Sequence, residues 1–361
     1  MTLHVKNSGS WEEVTEIHYK KDGSWERVKE VYIKKDGQWE TVLYEENTET
    51  ITVTGAGTID VPAGAFRALV RIEGGNGGKG GDDGNGAGGN GGEGASISAV
   101  IKVDPFTTLS YNIASGGGNG YSSGGGPGGS GGTGFANGGD GGRTGSVGWS
   151  GSGGGGGGAS SLVNGDGDLI IVAAGGPGGG GAGNQSSIGQ SKRNADNASG
   201  VSTELTTSRD GGDGQDCQTP DGAGAGGGGG GVAGIDIVTE SVSIDSWGYQ
   251  YNSLNTGLEN IQQMRITSKR SSSACTLGYS YGFTGNTVWV NHGCRGTFRI
   301  EGNDAFGLGG LYAGPYDSDG YPGDGGQSFV NGDIVKEYSV KKHSSGDSGT
   351  DGKLTITWLP E

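Results

Sequence analysis

The chain has 361 residues, with 40 acidic and 24 basic side chains and a formal net charge of −16. This charge argues against nucleic acid and anionic membrane surfaces as partners, because both select basic protein surfaces. Only 30% of the residues are hydrophobic and 87 are glycine, so a conventional side-chain core matched to this length is not available. The longest apolar run, residues 169–174, is far too short to span a bilayer and residues 1–9 lack a secretory signal, so we expect no membrane insertion.

Residues 3–44 contain a fourteen-residue repeat, LHVKNSGSWEEVTE, IHYKKDGSWERVKE and VYIKKDGQWETVLY. Each unit alternates polar and apolar residues around a Ser-Gly or Asp-Gly turn, which predicts a β-hairpin. We therefore expect a three-hairpin meander over residues 1–46, with Trp11, Trp25 and Trp39 on an apolar face and the Glu and Lys side chains on the other. So small a sheet cannot bury that face alone, which leaves the chain's next domain, a copy of itself or another protein as its partner.

Glycine occurs in blocks between residues 74 and 234, with a Gly-Gly-X period of three in the first block. Disorder is the compositional default, since glycine and proline make up about 26% of the chain. Collagen is excluded, because it needs Gly-X-Y with abundant proline and this chain has only 8 prolines. If the tract is ordered, the remaining solution is a bundle of polyglycine II helices bonded laterally through their backbones.

Strand-like segments of alternating residues enter and leave the glycine blocks, for example at residues 66–73, 95–103, 108–116 and 168–176. The sequence therefore predicts an all-β fold plus a polyglycine II helix bundle, in which small sheets cap a glycine-helix sandwich. We assign this sandwich to residues 47–234 and 302–361. Residues 184–210 are polar and without clear period, which indicates an exposed excursion.

Residues 235–301 form an inserted β module, because glycine thins there and aromatic residues concentrate. Recognition needs side chains able to discriminate a ligand, and the glycine scaffold has few, so we expect the receptor-binding surface here. Aromatic rings can stack on the apolar face of a sugar, although any one ring can equally belong to the module's own core. The candidate receptor-binding residues are Trp247, Tyr249, Tyr251, Tyr279, Tyr281, Trp289 and His292.

The segment GGGGGGASSLVNGDGDLIIVAAGGPGGGG (153–181) resembles the glycine-rich domain of anaplastic lymphoma kinase receptors, and the wider layout resembles the glycine-helix adhesins at the tips of phage long tail fibres. The N-terminal hairpins are similar to ones near the termini of phage structural proteins. CTLGYSYGFTGNTVWVNHGCRGTF (275–298) is similar to an uncharacterised domain of secreted bacterial proteins. The two phage resemblances imply a virion protein, on a tail fibre or another external appendage, whereas the bacterial domain implies no known function.

Three cysteines are present, and Cys275 and Cys294 can form a disulfide that leaves Cys217 odd. The four histidines, His4, His18, His292 and His343, fall at no metal-ligand spacing, so we expect no metal and no other cofactor. Glycine-rich strings that match catalytic signatures lack the strand-turn-helix context that gives them meaning. We therefore expect that the protein is not an enzyme.

The sequence thus favours a phage tail-fibre or tail-tip adhesin that contributes to recognition of the host cell surface. Its expected partners are other virion proteins, through the N-terminal repeats, and a host surface glycan or outer-membrane protein. A trimer or another homo-oligomer stays open. The alternatives are a virion decoration protein without receptor binding and an enzyme that degrades surface polysaccharide.

Overall fold

The computed structural model describes the chain apart from residues 1–3, 8, 15–16, 29, 36, 45–47, 52–54, 63–64, 85, 123, 147–148, 184–200, 204–206, 220, 233–236, 305–308, 311–313, 316–318, 343–346 and 360–361. In the described part the regular structure is all-β, as the sequence predicts, apart from one 3-10 turn at Trp247–Tyr249. No helix in that part is long and apolar enough to cross a membrane. Most of the expected polar excursion and His343 lie outside the described residues.

Two sheets pack face to face around the largest side-chain core. The six-stranded sheet has the order Val201–Ser202, Ser328–Val330, Leu169–Ala173, Ser160–Val163, Thr108–Ile113 and Gly55–Asp60. The five-stranded sheet has the order Val335–Lys342, Ala95–Lys102, Arg67–Glu73, Lys353–Leu359 and Thr48–Ile51. Alternate residues of Arg67–Glu73 and Lys353–Leu359 are buried, which is the period-two pattern of strands with one face on a core. The largest side chain in this core is Trp358.

The glycine tracts that adjoin these strands leave the sandwich at the same end. Glu73, the last residue before a glycine block, pairs with Ser96 just after that block and with Lys353 just after another. Ser160 and Ala173 are paired in the same way in the other sheet. Because antiparallel partners lie side by side, the glycine-flanked ends of these strands lie together at one end of the sandwich. The two sheets therefore adjoin one end of the glycine layer, whereas the sequence predicted small sheets at its ends.

Backbone hydrogen bonds join the glycine segments to one another rather than to themselves. Residues 151–159 donate to segments 115–121, 136–142 and 176–182, and accept from segments 75–81, 129–135 and 224–230, at N to O distances of 2.7 to 3.2 Å. Each neighbour is contacted by every third residue. The amides and carbonyls of this buried segment are thus satisfied without a sheet, and they are shared among six surrounding segments.

Only glycine fits at many of these positions. A Cβ atom at Gly155 would overlap the carbonyl oxygen of Ser130, and one at Gly78 would overlap that of Gly118. The side chain at an X position can also be enclosed. Asn76 is only 1% exposed, its Nδ2 donates to the Asp347 carbonyl at 2.7 Å, and its Oδ1 accepts from the Gly94 amide at 2.8 Å. A substitution at Asn76 therefore removes two hydrogen bonds from an enclosed site.

The N-terminal repeats form three separate two-stranded sheets, which corrects the expected meander. The strand pairs are His4–Asn7 with Ser10–Glu13, His18–Lys21 with Ser24–Arg27, and Glu30–Lys35 with Gln38–Tyr44. Asp22 and Gly23 both have positive φ, 50° and 88°, as a two-residue hairpin turn requires. In the described residues no ladder joins one of these hairpins to the next.

The hairpin register also corrects the predicted face of one lysine in each repeat. Lys20 lies directly opposite Trp25, and the same pairing recurs in the other two repeats. Directly opposed residues of an antiparallel pair share a face, and the Lys20 Nζ lies 6.0 Å from the centroid of the Trp25 ring. Trp25 is 69% exposed, while the side chains of Trp11 and Trp39 lie outside the described part. The exposed face thus combines tryptophan with lysine.

The inserted module consists of two three-stranded sheets around its own core. The first has the order Ile237–Asp245, Arg295–Asp304 and Leu258–Lys269, and the second has the order Asn252–Asn255, Thr287–Val290 and Tyr281–Thr284. Phe298 and Ile300 are fully buried in this core. The remaining strands form two short pairs among the glycine segments, Ser208–Arg209 with Gly231–Val232 and Gly222–Ala223 with Gly314–Pro315.

Candidate recognition surface

One end of the module is closed by three loops that are tied together. A disulfide joins Cys275 to Cys294, the pairing that the sequence left open. The buried Ser246 Oγ accepts a hydrogen bond from the Gly293 amide at 3.1 Å and donates to the Gln250 carbonyl at 2.5 Å. These bonds fix residues 246–251, 270–280 and 291–295 against one another. We call this region the disulfide end.

The first of these loops projects two aromatic side chains into solvent. Trp247 is 66% exposed and Tyr249 is 70% exposed. Gly248 and Tyr249 have φ values of 59° and 64°, and a left-handed backbone costs about 1–2 kcal/mol at a residue with a Cβ atom. The Tyr249 ring lies beside Gly293, where an added Cβ would be 3.4 Å from its Cε1. The turn therefore holds both rings at the disulfide end.

The other two loops bring Tyr279 and His292 together. Their rings are stacked, with centroids 4.5 Å apart and planes inclined by 17°. Tyr279 is 64% exposed and His292 is exposed as well. The neighbouring Ser280 holds the loop that carries Tyr279. Its buried Oγ accepts a hydrogen bond from the Thr276 amide at 2.7 Å and donates one to the Ala274 carbonyl at 3.1 Å. The pair forms a second aromatic surface that is held by buried polar groups.

Trp289 and Tyr251 form a third pair, on the outer face of the smaller sheet. Their ring centroids lie 6.3 Å apart with planes inclined by 23°. A Cβ atom at Gly282 would overlap the Trp289 ring, so the glycine lets this half-buried ring lie against the sheet. Beside it, the Thr287 hydroxyl donates to Asn255 Oδ1 at 2.8 Å. Aromatic and hydrogen-bonding groups are thus adjacent on this face.

Tyr281 differs from the other candidates. It is 8% exposed and its ring packs against Phe298 at a centroid distance of 4.9 Å. In the alternation of its strand it points to the inner face, as Val288 and Val290 do on the neighbouring strand. We therefore assign Tyr281 to the module's core, the alternative that the sequence analysis kept open for each ring.

The structure also adds residues that the sequence did not single out. The Arg295 guanidinium lies over the Trp247 ring, 4.1 Å from its centroid, and Leu277 and Leu254 are 53% and 47% exposed. Arg295 follows the disulfide cysteine directly and pairs with Asp245 across the sheet. A register between residues 50 apart cannot be read from one sequence, which is why this contact was missed.

Part of the chain matches known proteins. Residues 230–333 match a family described as "Protein of unknown function (DUF3011)". A stretch of 64 residues is 39% identical to "Lectin ADEL" from Aplysia dactylomela, and the matched stretch spans 18% of this chain and 30% of the lectin. The family match contains the whole inserted module and the disulfide end.

Proposed function

We propose that the inserted module binds carbohydrate and that its disulfide end is the binding surface. The observation that carries this proposal is the convergence of exposed rings, Trp247, Tyr249, Tyr279 and His292, on loops held rigid by a disulfide and a buried serine. Exposed aromatic groups of this kind stack on sugar rings, and little ordering entropy is lost when they are already fixed. The partial likeness to a lectin supports carbohydrate binding by this chain.

The glycine scaffold, we propose further, is a bundle of polyglycine II helices that presents this module. The threefold repeat of the lateral hydrogen bonds around residues 151–159 supports this assignment, because such a helix has three residues per turn and no internal hydrogen bonds. With backbone bonds in several directions, the bundle resists bending better than a single sheet would. It is therefore suited to hold a recognition surface away from its point of attachment.

In this proposal the whole chain is an adhesin of a phage tail fibre or tail tip. The N-terminal hairpins dock it on the virion through their exposed tryptophan and lysine face, of which Trp25 is the described example. A decoration protein is the second candidate, and it would share the docking hairpins but not the glycan affinity. Binding of a host glycan therefore separates the two.

The direct test is binding of the purified chain to an array of bacterial surface polysaccharides. We expect at least one glycan to bind, and we expect Tyr279→Ala to weaken this binding about tenfold, since a ring contact contributes about 1–2 kcal/mol. Tyr338→Ala is the matched control, because Tyr338 is a 43% exposed tyrosine on the five-stranded sheet. Equal losses in both variants, or no glycan bound by the intact chain, would refute the proposal.

A further inference from the structure

We infer that Arg295 and Trp247 form a subsite for a sugar that carries a carboxylate, such as a uronic acid. This inference rests on the proposed carbohydrate binding and adds the chemical class of the ligand. It starts from the guanidinium of Arg295, whose carbon lies 4.1 Å from the centroid of the Trp247 ring. Trp247 is nevertheless 66% exposed, so this contact leaves most of the side chain open to solvent.

The guanidinium lies against the ring at this distance, and no described residue accepts a hydrogen bond from its N–H groups. The N–H donors of arginine lie in the plane of the group, where they match the two oxygens of a carboxylate. A carboxylate bound by these N–H donors of Arg295 would place its sugar ring beside Trp247 and Tyr249. Arg295 can then supply the charge contact, and Trp247 can supply the apolar contact.

Within the described part of the chain, Arg295 differs from neighbouring arginines in having no acidic partner. Arg270 forms an ion pair with Asp245 at 2.7 Å, and Arg299 forms one with Glu301 at 3.1 Å. Among the described residues no Asp or Glu forms an ion pair with Arg295. The chain as a whole has a net charge of −16, which repels an acidic ligand. The positive charge of Arg295 beside an exposed ring is a local exception that attracts one.

Arg265 provides a charge-matched control on the same sheet. It is exposed and pairs in register with Arg299, four residues along the strand from Arg295. Four residues span about 13 Å, which exceeds the screening length of about 8 Å at physiological ionic strength. Loss of the Arg265 charge should therefore leave the subsite unaffected, whereas a general effect of net charge would appear equally in both variants.

The experiment measures binding of the full chain to three forms of one oligosaccharide by calorimetry: one containing glucuronic acid, its carboxyl-reduced glucose form, and a glucose phosphate form. We expect the uronic acid form to bind about tenfold or more tightly than the neutral form, as charge-assisted hydrogen bonds contribute more than neutral ones. Arg295→Gln should abolish this preference, and Arg295→Lys should lose most of it because lysine lacks the planar fork. Arg265→Gln should keep it.

The ratio of acidic to neutral binding separates the two proposals. Equal binding of both forms by the intact chain, or an unchanged ratio in Arg295→Gln, would overturn the subsite while leaving the carbohydrate proposal in place. Tighter binding of the phosphate form with the same dependence on Arg295 would overturn the assignment to a carboxylate. Binding of none of the three forms, nor of any glycan on the array, would overturn both proposals. An unchanged melting temperature in each variant shows that the comparison is between folded proteins.

Discussion

At the scale of single residues, the glycine tracts contain two kinds of position: those that only glycine can occupy and those that tolerate a side chain. Gly155 lies in the buried segment 151–159, and an added Cβ would overlap the carbonyl oxygen of Ser130. Lys79 is an X position at the surface, where its Nζ pairs with Asp82. Gly155 belongs to an unbroken run of six glycines, residues 153–158, whereas Lys79 is the X residue of a Gly-Gly-X tract.

We expect Gly155→Val to prevent folding, because displacing backbone in a hydrogen-bonded bundle costs more than the ~5 kcal/mol that marks an exceptional substitution. Lys79→Ala should change the free energy of unfolding by no more than about 0.5 kcal/mol. Asn76→Ala should lie between them, at about 1–3 kcal/mol, since it leaves the Gly94 amide without its partner. Thermal unfolding followed by circular dichroism checks all three. Similar stabilities for the Gly155 and Lys79 variants would contradict the bundle.

At the scale of structural elements, the disulfide links two of the three loops that hold the exposed rings. Cys275 and Cys294 are separated by 19 residues, and closing a loop of this order contributes about 3 kcal/mol in the chain-entropy model. The bond matters for function if the rings must be fixed before a glycan arrives. Its loss should then affect binding as well as stability.

A double variant, Cys275→Ser with Cys294→Ser, should unfold with a free energy about 3 kcal/mol lower than that of the parent chain. Below its melting temperature it should bind glycan more weakly, because the loops must be ordered on binding. Cys217→Ser is the control, since Cys217 is not part of the Cys275–Cys294 disulfide and lies in a glycine segment. Full glycan affinity in the double variant would show that the disulfide has no part in shaping the surface.

At the scale of the whole molecule, the described chain contains N-terminal hairpins, hydrogen-bonded glycine segments with their two-sheet sandwich, and the inserted β module. In the described residues the hairpins form strand ladders only within themselves, with a ring contact between Tyr32 and Phe106 of the sandwich at a centroid distance of 6.0 Å. The module has a core of its own. Each should therefore be removable without unfolding the sandwich and the glycine segments. The proposed functions of the two parts can be tested separately in this way.

Deletion of residues 1–46 should leave a folded protein that binds glycan but no longer joins the virion, because the exposed tryptophan and lysine face is gone. Incorporation into particles, detected by immunoblotting of purified virions, measures this outcome. Particles that carry the shortened protein at normal levels would place the docking surface elsewhere in the chain.

Replacement of residues 237–304 by a short linker should have the opposite effect. The remaining chain should keep the sandwich and the glycine segments, with a melting temperature close to that of the parent, and should join the virion without binding host cells. Flow cytometry with labelled protein measures cell binding. Undiminished binding would move the recognition surface to the loops of the glycine scaffold.

Local sequence pattern by itself determined the all-β class, the hairpins of the N-terminal repeats and the positions of several strands, because alternation is readable over a few residues. It also supplied most of the exposed rings at the disulfide end, including Trp247 and Tyr279. Tertiary structure alone decided that Tyr281 is buried, that Asn76 is enclosed and that Arg295 lies over Trp247. These outcomes depend on contacts between residues far apart in the chain, and burial and register of that kind arise only when the strands are brought together.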